Sequence, residues 1–155
     1  MQPVSVTKPP VTAITLGVRD VAASRRFYAD GLGWRVLWEN PGEIVFFQSA
    51  AGQMLALWNV KSMPHEYGDV AHPAPGTPAI PISLGRNVDR REEVDREIER
   101  ALAAGATLVK AAQKQEWGGY SGCFADPDGY RWDIVFNPGL RVDPDGTLHL
   151  AAVDG

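Results

Sequence analysis

The chain has little of several residue types on which common protein chemistries depend. Its 155 residues include one cysteine, three histidines and three methionines. The single cysteine, Cys123, excludes an internal disulfide bond and fits a reducing cytoplasm. No apolar run approaches the roughly 20 residues that cross a bilayer, and the first residues lack the apolar segment of a secretory signal. We therefore expect a cytoplasmic protein with no membrane partner.

Positive charge is also scarce. The formal net charge is −4, so long-range electrostatics give no reason to expect nucleic acid as a partner. Apolar residues make up 45% of the chain and charged residues 22%, a balance that is typical of globular rather than disordered proteins. A chain of this length can bury a sizeable core.

The chain repeats its own layout. The tetrapeptide at 14–17, Ile-Thr-Leu-Gly, recurs at 82–85 as Ile-Ser-Leu-Gly, each time shortly before an acidic stretch with a helical pattern. The segment at 47–52 recurs at 124–129, and each copy ends in glycine before an apolar run that reads as a strand. Such a repeat predicts two modules of one architecture.

Alternating apolar and polar residues predict eight strands, at 12–18, 34–39, 43–48, 53–58, 80–85, 107–112, 120–125 and 130–136. Two helices are predicted at 21–30 and 89–104, the first capped by Asp20 and the second ended by Gly105. The fold class is therefore α+β, with two βαβββ modules. We place the modules at 12–59 and 80–138, with an N-terminal arm at 1–11, a proline-rich linker or lid at 60–79 and a tail at 139–155.

Several motifs resemble those of the vicinal oxygen chelate superfamily, which includes glyoxalase I, bleomycin-resistance proteins, fosfomycin-resistance enzymes and extradiol dioxygenases. The motifs lie at 16–20 (Leu-Gly-Val-Arg-Asp), 27–28 (Phe-Tyr), 31–34 (Gly-Leu-Gly-Trp) and 124–133 (Phe-Ala-Asp-Pro-Asp-Gly-Tyr-Arg-Trp-Asp). The segment at 117–122 is similar to that of one bacterial branch. The resemblance covers roughly 12–138 and implies that each module curls a mixed sheet into a half-cup and that two half-cups surround a ligand, either within one chain or across a homodimer. Dimers are common in this superfamily, so a homodimer is expected.

The resemblance also assigns the two faces of each strand. The large apolar side chains are expected to pack in the core: Ile14, Leu16, Leu55, Leu57, Ile82, Leu84, Trp132, Ile134 and Phe136. The alternate residues are expected to line the cup: Ala13, Thr15, Met54, Ala56, Trp58, Pro81, Ser83, Arg131, Asp133 and Val135.

Metal-using members of the superfamily carry ligands on the first and last strands of each module. Matching the motifs places those positions at Ala13, Ala56, Pro81 and Asp133. Only Asp133 has a side chain that can coordinate a metal, whereas a divalent ion needs three or more protein ligands. We therefore expect no metal and no cofactor. Ligands from elsewhere remain the alternative: His65 and His72 in the lid, Glu43 or Glu116.

Two residues of the second module have more than one interpretation. Asp133 is either half of a structural ion pair with Arg131 or a pocket acid or base whose pKa depends on burial. Cys123 shares its predicted face with Ser121 and is interpreted as a small packing residue rather than a nucleophile, because no histidine pairs with it in the pattern.

Aromatic side chains are the other candidates for a ligand pocket. Trp58, Trp117 and Tyr120 suit a flat or apolar ligand, and Phe46 joins them if its orientation repeats that of Cys123. The leading hypothesis is a metal-free protein that binds a small apolar or aromatic molecule, with Asp133 and Arg131 as polar anchors. The alternatives are a lyase, isomerase or dioxygenase-type enzyme that uses Asp133 and non-standard metal ligands, and a degenerate member that serves only as a subunit.

Overall fold

The computed structural model describes residues 8–72, 74 and 76–153. Most of the predicted arm, residues 1–7, lies outside this range. The chain divides into two compact units, residues 1–73 and 74–155. Among the described residues, no helix has both the length and the apolar character needed to cross a membrane.

The first unit has one four-stranded sheet with a helix on one face. Its elements in chain order are β1 (Ala13–Val18), α1 (Val21–Arg25) continuing as a π-helical turn (Arg26–Gly31), β2 (Val36–Asn40), β3 (Ile44–Ala50), β4 (Gln53–Asn59), a 3₁₀ turn (Val60–Ser62) and α2 (Pro64–Tyr67). The strand order is β1-β4-β3-β2. β1 runs parallel to β4, and the other neighbours are antiparallel.

Local chemistry explains where α1 begins. The Asp20 carboxylate accepts a hydrogen bond from the Ala23 amide at 3.1 Å, which satisfies one of the amide groups left unpaired at a helix start. The helical stretch then buries Tyr28, whose ring lies 5.3 Å from that of Trp34 and 5.9 Å from that of Phe47. These three aromatic rings form the centre of the core between helix and sheet.

The second unit repeats this order and adds a hairpin. Its elements are β5 (Ser83–Val88), α3 (Arg91–Ala103), β6 (Thr107–Lys114), β7 (Tyr120–Ala125), β8 (Arg131–Phe136), β9 (Leu140–Val142) and β10 (Leu148–Leu150). The strand order is β5-β8-β7-β6, and β9 pairs only with β10. α3 buries Val94, Ile98 and Ala101. The predicted α+β fold with two βαβββ modules is confirmed.

A tight turn joins β7 to β8, as the composition of 126–129 predicts. The Asp126 carboxylate accepts hydrogen bonds from the amides of Asp128 and Tyr130, each at 2.9 Å. Gly129 has a φ of 93°, a conformation that glycine adopts without a Cβ penalty. The turn therefore sets where β8 begins, and with it which residues of β8 share a face.

The predicted start of β5 is wrong. The prediction followed the Ile-Ser-Leu-Gly match and began the strand at 80, whereas β5 begins at Ser83. Ile82, predicted for the core, lies outside the strand and is 44% exposed. β1 and β5 have equal lengths, and two residues separate each from its helix. Ser83, not Pro81, is therefore the structural counterpart of Ala13.

Candidate functional site

In the first unit, α1 covers one face of the sheet, and the 3₁₀ turn and α2 contact the other face beside Gly17 and Trp58. Phe46 pairs with Ala56 across β3 and β4, and Ala56 pairs with Thr15 of β1. Side chains two residues apart on a strand share a face, so Trp58 lies on this same face. The structure thus brings Phe46 and Trp58 together on one surface, which we call the first open face.

Trp58 is held on the first open face by a carboxylate. Its indole N–H donates a hydrogen bond to Glu43 at 2.8 Å, and its ring makes an edge contact with Tyr67 at 6.0 Å. Hydrogen bonds from the Ser62 hydroxyl and the Trp58 indole hold the pKa of Glu43 below its usual range. Glu43, considered above only as a metal ligand, therefore positions an aromatic side chain.

The second unit has a corresponding second open face, on the side of its sheet away from α3. Cys123 pairs with Asp133 across β7 and β8, and Ser121 pairs with Val135. Arg131 shares this face because it lies two residues before Asp133. All of these side chains are half-buried. A thiol, a carboxylate and a guanidinium are therefore neighbours on a surface that solvent reaches.

The expected ion pair between Arg131 and Asp133 does not form. The Arg131 guanidinium donates instead to the backbone carbonyl of Gly129 at 2.7 Å, and the ion pairs of residues 8–72 and 76–153 do not include one with Asp133. The interpretation of Asp133 as half of an ion pair with Arg131 is therefore wrong, and its interpretation as a pocket acid or base stays a prediction.

Asp133 acts electrostatically on the thiol beside it. Burial raises the pKa of Cys123 most, and the charge of Asp133 raises it further. The nearby Arg131 opposes this shift only in part. The thiol therefore stays protonated at neutral pH, which disfavours a role as nucleophile.

Tyr120 lies on the opposite face of the second sheet from Ser121 and Cys123. Its hydroxyl donates a hydrogen bond to Asp95 of α3 at 2.8 Å, and the Arg91 guanidinium lies 4.9 Å from the centre of its ring. The hydrogen bond to Asp95 is the main reason why the pKa of Tyr120 is raised. The structure does not bring Tyr120 together with the other predicted pocket residues of this unit.

Trp117 also lies away from Cys123 and Asp133, in the loop between β6 and β7. Its indole folds over Gly119, where it occupies the space that a Cβ would need. Together with Asn137 and residues 150–153 of the tail it lines a groove of about 490 Å³. Both histidines proposed as alternative ligands, His65 and His72, are exposed.

The residues at the superfamily's ligand positions do not fit a metal ion. The first unit offers Ala13 and Ala56, whose side chains have no donor atom, and the second offers the Ser83 hydroxyl and the Asp133 carboxylate. Across the described ranges, no group of three or more His, Cys, Asp or Glu side chains could hold a metal. Ser83 and Asp95 were missed by sequence reasoning. Ser83 precedes α3 by the same number of residues as Ala13 precedes α1, so counting back from the start of α3 would have found it.

Comparisons with known proteins agree with this architecture. A solved glyoxalase-related enzyme from Fulvimarina pelagi is 40% identical, covers 92% of this chain and 98% of its own, and superposes with a TM-score of 0.79. Lactoylglutathione lyase from Agrobacterium tumefaciens is 26% identical over 84% of this chain and 96% of its own, with a TM-score of 0.61.

A protein of Mycobacterium bovis is 48% identical over 42 residues, and this match spans 27% of the present chain and 28% of that protein. The family model of the Glyoxalase/Bleomycin resistance protein/Dioxygenase superfamily matches residues 11–134. The chain therefore belongs to the glyoxalase/bleomycin resistance protein/dioxygenase superfamily.

Proposed function

We propose that this protein binds a small organic molecule at the second open face. The observation that carries the proposal is the pairing of Cys123 with Asp133, next to Arg131, on the face of the sheet away from α3. Ligand sites combine an apolar surface with a few polar groups that fix orientation. Val135 supplies apolar surface there, and the three polar side chains supply hydrogen-bond donors and an acceptor.

The first open face supports an aromatic or apolar ligand. Phe46 and Trp58 are half-buried, and Trp58 is already oriented by Glu43. A flat ring that stacks on such a side chain meets a surface that needs little reordering, which lowers the entropic cost of binding. The cup that the resemblance implies stays a prediction.

A thermal-shift screen with aromatic metabolites and aromatic antibiotics tests the proposal, because a ligand that binds only the native state raises the melting temperature by mass action. We expect Asp133→Asn to weaken binding of any hit. Asp145→Asn, in the β9–β10 turn, is the matched control and should bind normally. Hits whose affinity is equal in both variants would contradict a site at Asp133.

Enzymatic activity is the second candidate function. The 40% identity to a glyoxalase-related enzyme and the 26% identity to lactoylglutathione lyase favour it. Asp133 would then act as a general base without a metal, since Ala13 and Ala56 supply no ligand. Incubation with S-lactoylglutathione, followed by thioester absorbance, is a direct test. Turnover that Asp133→Asn abolishes, while the melting temperature is unchanged, would support this candidate over simple binding.

Homodimerisation and a cytoplasmic location complete the proposal. Light scattering after size-exclusion chromatography measures the first, and we expect twice the chain mass of 16.8 kDa. A monomer at micromolar concentration would contradict the dimer without affecting the proposed ligand site.

A further inference from the structure

The second unit contains a cavity of about 520 Å³ on the side of its sheet that faces α3. The residues that line it are Arg91, Lys114, Gln115, Glu116, Gly118, Gly119 and Phe136. Its volume is within the range of small-molecule sites. Because Cys123 and Asp133 lie on the other face of the sheet, this cavity is separate from the proposed ligand site.

Strand register explains how the cavity wall is built. Lys114 pairs with Tyr120 across β6 and β7, and Tyr120 pairs with Phe136 across β7 and β8. The three side chains therefore form one row on one face. The hydrogen bond from Tyr120 to Asp95 shows that this is the face covered by α3.

The side chain of Arg91, one of the two cationic residues of the cavity, is held in place by an aromatic ring. The Arg91 guanidinium lies over the Tyr120 ring, 4.9 Å from its centre, and Asp95 holds that ring by a hydrogen bond at 2.8 Å. Stacking of this kind orients a guanidinium without neutralising it. Arg91 therefore keeps its hydrogen-bond donors and its charge for another group.

Another part of the cavity lining is the loop between β6 and β7, which backbone hydrogen bonds close into a turn. The Gln115 amide donates to the Gly119 carbonyl at 2.8 Å, and the Gly118 amide donates to the Gln115 carbonyl at 3.0 Å. Trp117 fills the space beside Gly119, and Val153 fills the space beside Gly118. Both positions leave no room for a Cβ, which explains why glycine occupies them.

The charges of the cavity select the ligand class. In the part of the chain that the structure describes, neither Arg91 nor Lys114 forms an ion pair. Two unpaired cations face one carboxylate, Glu116, in a protein whose formal net charge is −4. Phe136 adds an apolar surface. We propose that this cavity binds a small organic anion, with its carboxylate or phosphate between Arg91 and Lys114 and its apolar part against Phe136.

Backbone amide shifts in nuclear magnetic resonance spectra test the proposal, with benzoate, phenyl phosphate and inorganic phosphate as probes. We expect saturable shifts at Gly118, Gly119 and Lys114 with benzoate or phenyl phosphate, and weaker binding of inorganic phosphate, which has no apolar part. A preference between the two aromatic probes would identify the carboxylate or the phosphate as the anionic group. Added sodium chloride should weaken binding.

Substitutions distinguish anion binding in the cavity from nonspecific attraction of anions to the protein surface. Arg91→Gln and Lys114→Gln should each weaken binding about tenfold, the usual loss for a hydrogen bond to a charged group. Arg96→Gln, on the same helix but outside the cavity lining, is the matched control and should bind normally. Equal effects of all three variants, no saturation with any probe, or shifts confined to β7 and β8 around Cys123 and Asp133 would overturn the proposal.

Discussion

Cys123 and Asp133 are cross-strand partners of β7 and β8, and the carboxylate contributes to raising the pKa of the thiol. This pair decides the chemistry of the second open face. A thiol that keeps its proton is a poor nucleophile, and it donates weakly to the Phe124 carbonyl at 3.7 Å. Asp133 is therefore the hydrogen-bond acceptor that this pair presents to a ligand.

The first prediction concerns the reactivity of Cys123. The thiol should react with iodoacetamide more slowly than the same thiol in the unfolded chain at mildly alkaline pH. Asp133→Asn removes the neighbouring charge, so the pKa of Cys123 should fall and the alkylation rate should rise. Asp95→Asn, on the other face of the sheet, is the control. An unchanged rate in Asp133→Asn would show that the carboxylate does not act on the thiol.

The raised pKa of Cys123 also predicts a stability effect with a definite sign. Because the folded protein holds this proton more tightly than the unfolded chain, the contribution to stability is complete below the unfolded pKa of about 8.5. It decreases as the pH rises from there through the folded pKa. Denaturant titrations of the wild-type protein and Cys123→Ser across this window should show a steeper alkaline loss in the wild type.

The second prediction concerns Tyr120. The hydrogen bond to Asp95 raises the pKa of Tyr120, so Asp95→Asn should lower it toward its ordinary value of about 10. Ultraviolet absorbance of tyrosinate, measured as the difference between each protein and its Tyr120→Phe counterpart, reports this group alone. Asp133→Asn is the control, because that side chain lies on the other face. A Tyr120 titration unaffected by Asp95→Asn would contradict the contact.

The third prediction concerns Glu43 and Trp58. Because the pKa of Glu43 is held below its usual range, its hydrogen bonds are present at neutral pH and are lost as the pH falls through that lowered pKa. The emission of Trp58, obtained by subtracting the spectrum of Trp58→Phe, should change in this acidic window. Glu43→Gln should abolish the transition. If the change in Trp58 emission persists in Glu43→Gln, another titrating group causes it.

The fourth prediction compares two aromatic residues of the first sheet. Phe47 is fully buried against Tyr28 and Trp34, so Phe47→Ala should cost about 3–5 kcal/mol of unfolding free energy. Trp38 is 60% exposed, and Trp38→Ala should cost much less because most of its surface remains in solvent. Urea denaturation followed by circular dichroism measures both. Similar losses would contradict this assignment of the core.

The fifth prediction concerns metals. Since Ala13 and Ala56 offer no donor atom, chelator treatment should leave the melting temperature and any ligand affinity unchanged. Metal analysis of protein purified without chelator should find less than one divalent ion per chain. A stoichiometric ion that chelator removes, with a lower melting temperature afterwards, would show that other side chains supply the ligands.

Local patterns in the chain were sufficient for the fold. Alternation along β8, the Asp20 cap and the glycine turn at 126–129 depend on residues close together in sequence, and each is reproduced in the structure. Such features are readable because helix periodicity, strand alternation and turn chemistry act over a few residues. The resemblance to the superfamily rested on the same segments and was confirmed by the family match.

The contacts of Tyr120 were not readable in this way. Strand alternation puts Tyr120 on the face opposite Ser121 and Cys123, but it does not say which residues lie over that face. The position of Tyr120 is set by Asp95 and Arg91 of α3, about 25 residues away in the chain. No local pattern encodes that contact.

The start of β5 also depends on contacts between distant segments rather than on local sequence. The Ile-Ser-Leu-Gly match is a similarity of sequence, whereas the strand begins where Ser83 pairs with Arg131. A parallel pairing between distant segments is decided by the summed hydrogen bonds and side-chain packing of both strands, not by four residues of one. Local sequence was therefore enough to predict two modules and their elements. Long-range pairing placed Ser83 rather than Pro81 opposite Arg131 and put Cys123 beside the Asp133 carboxylate.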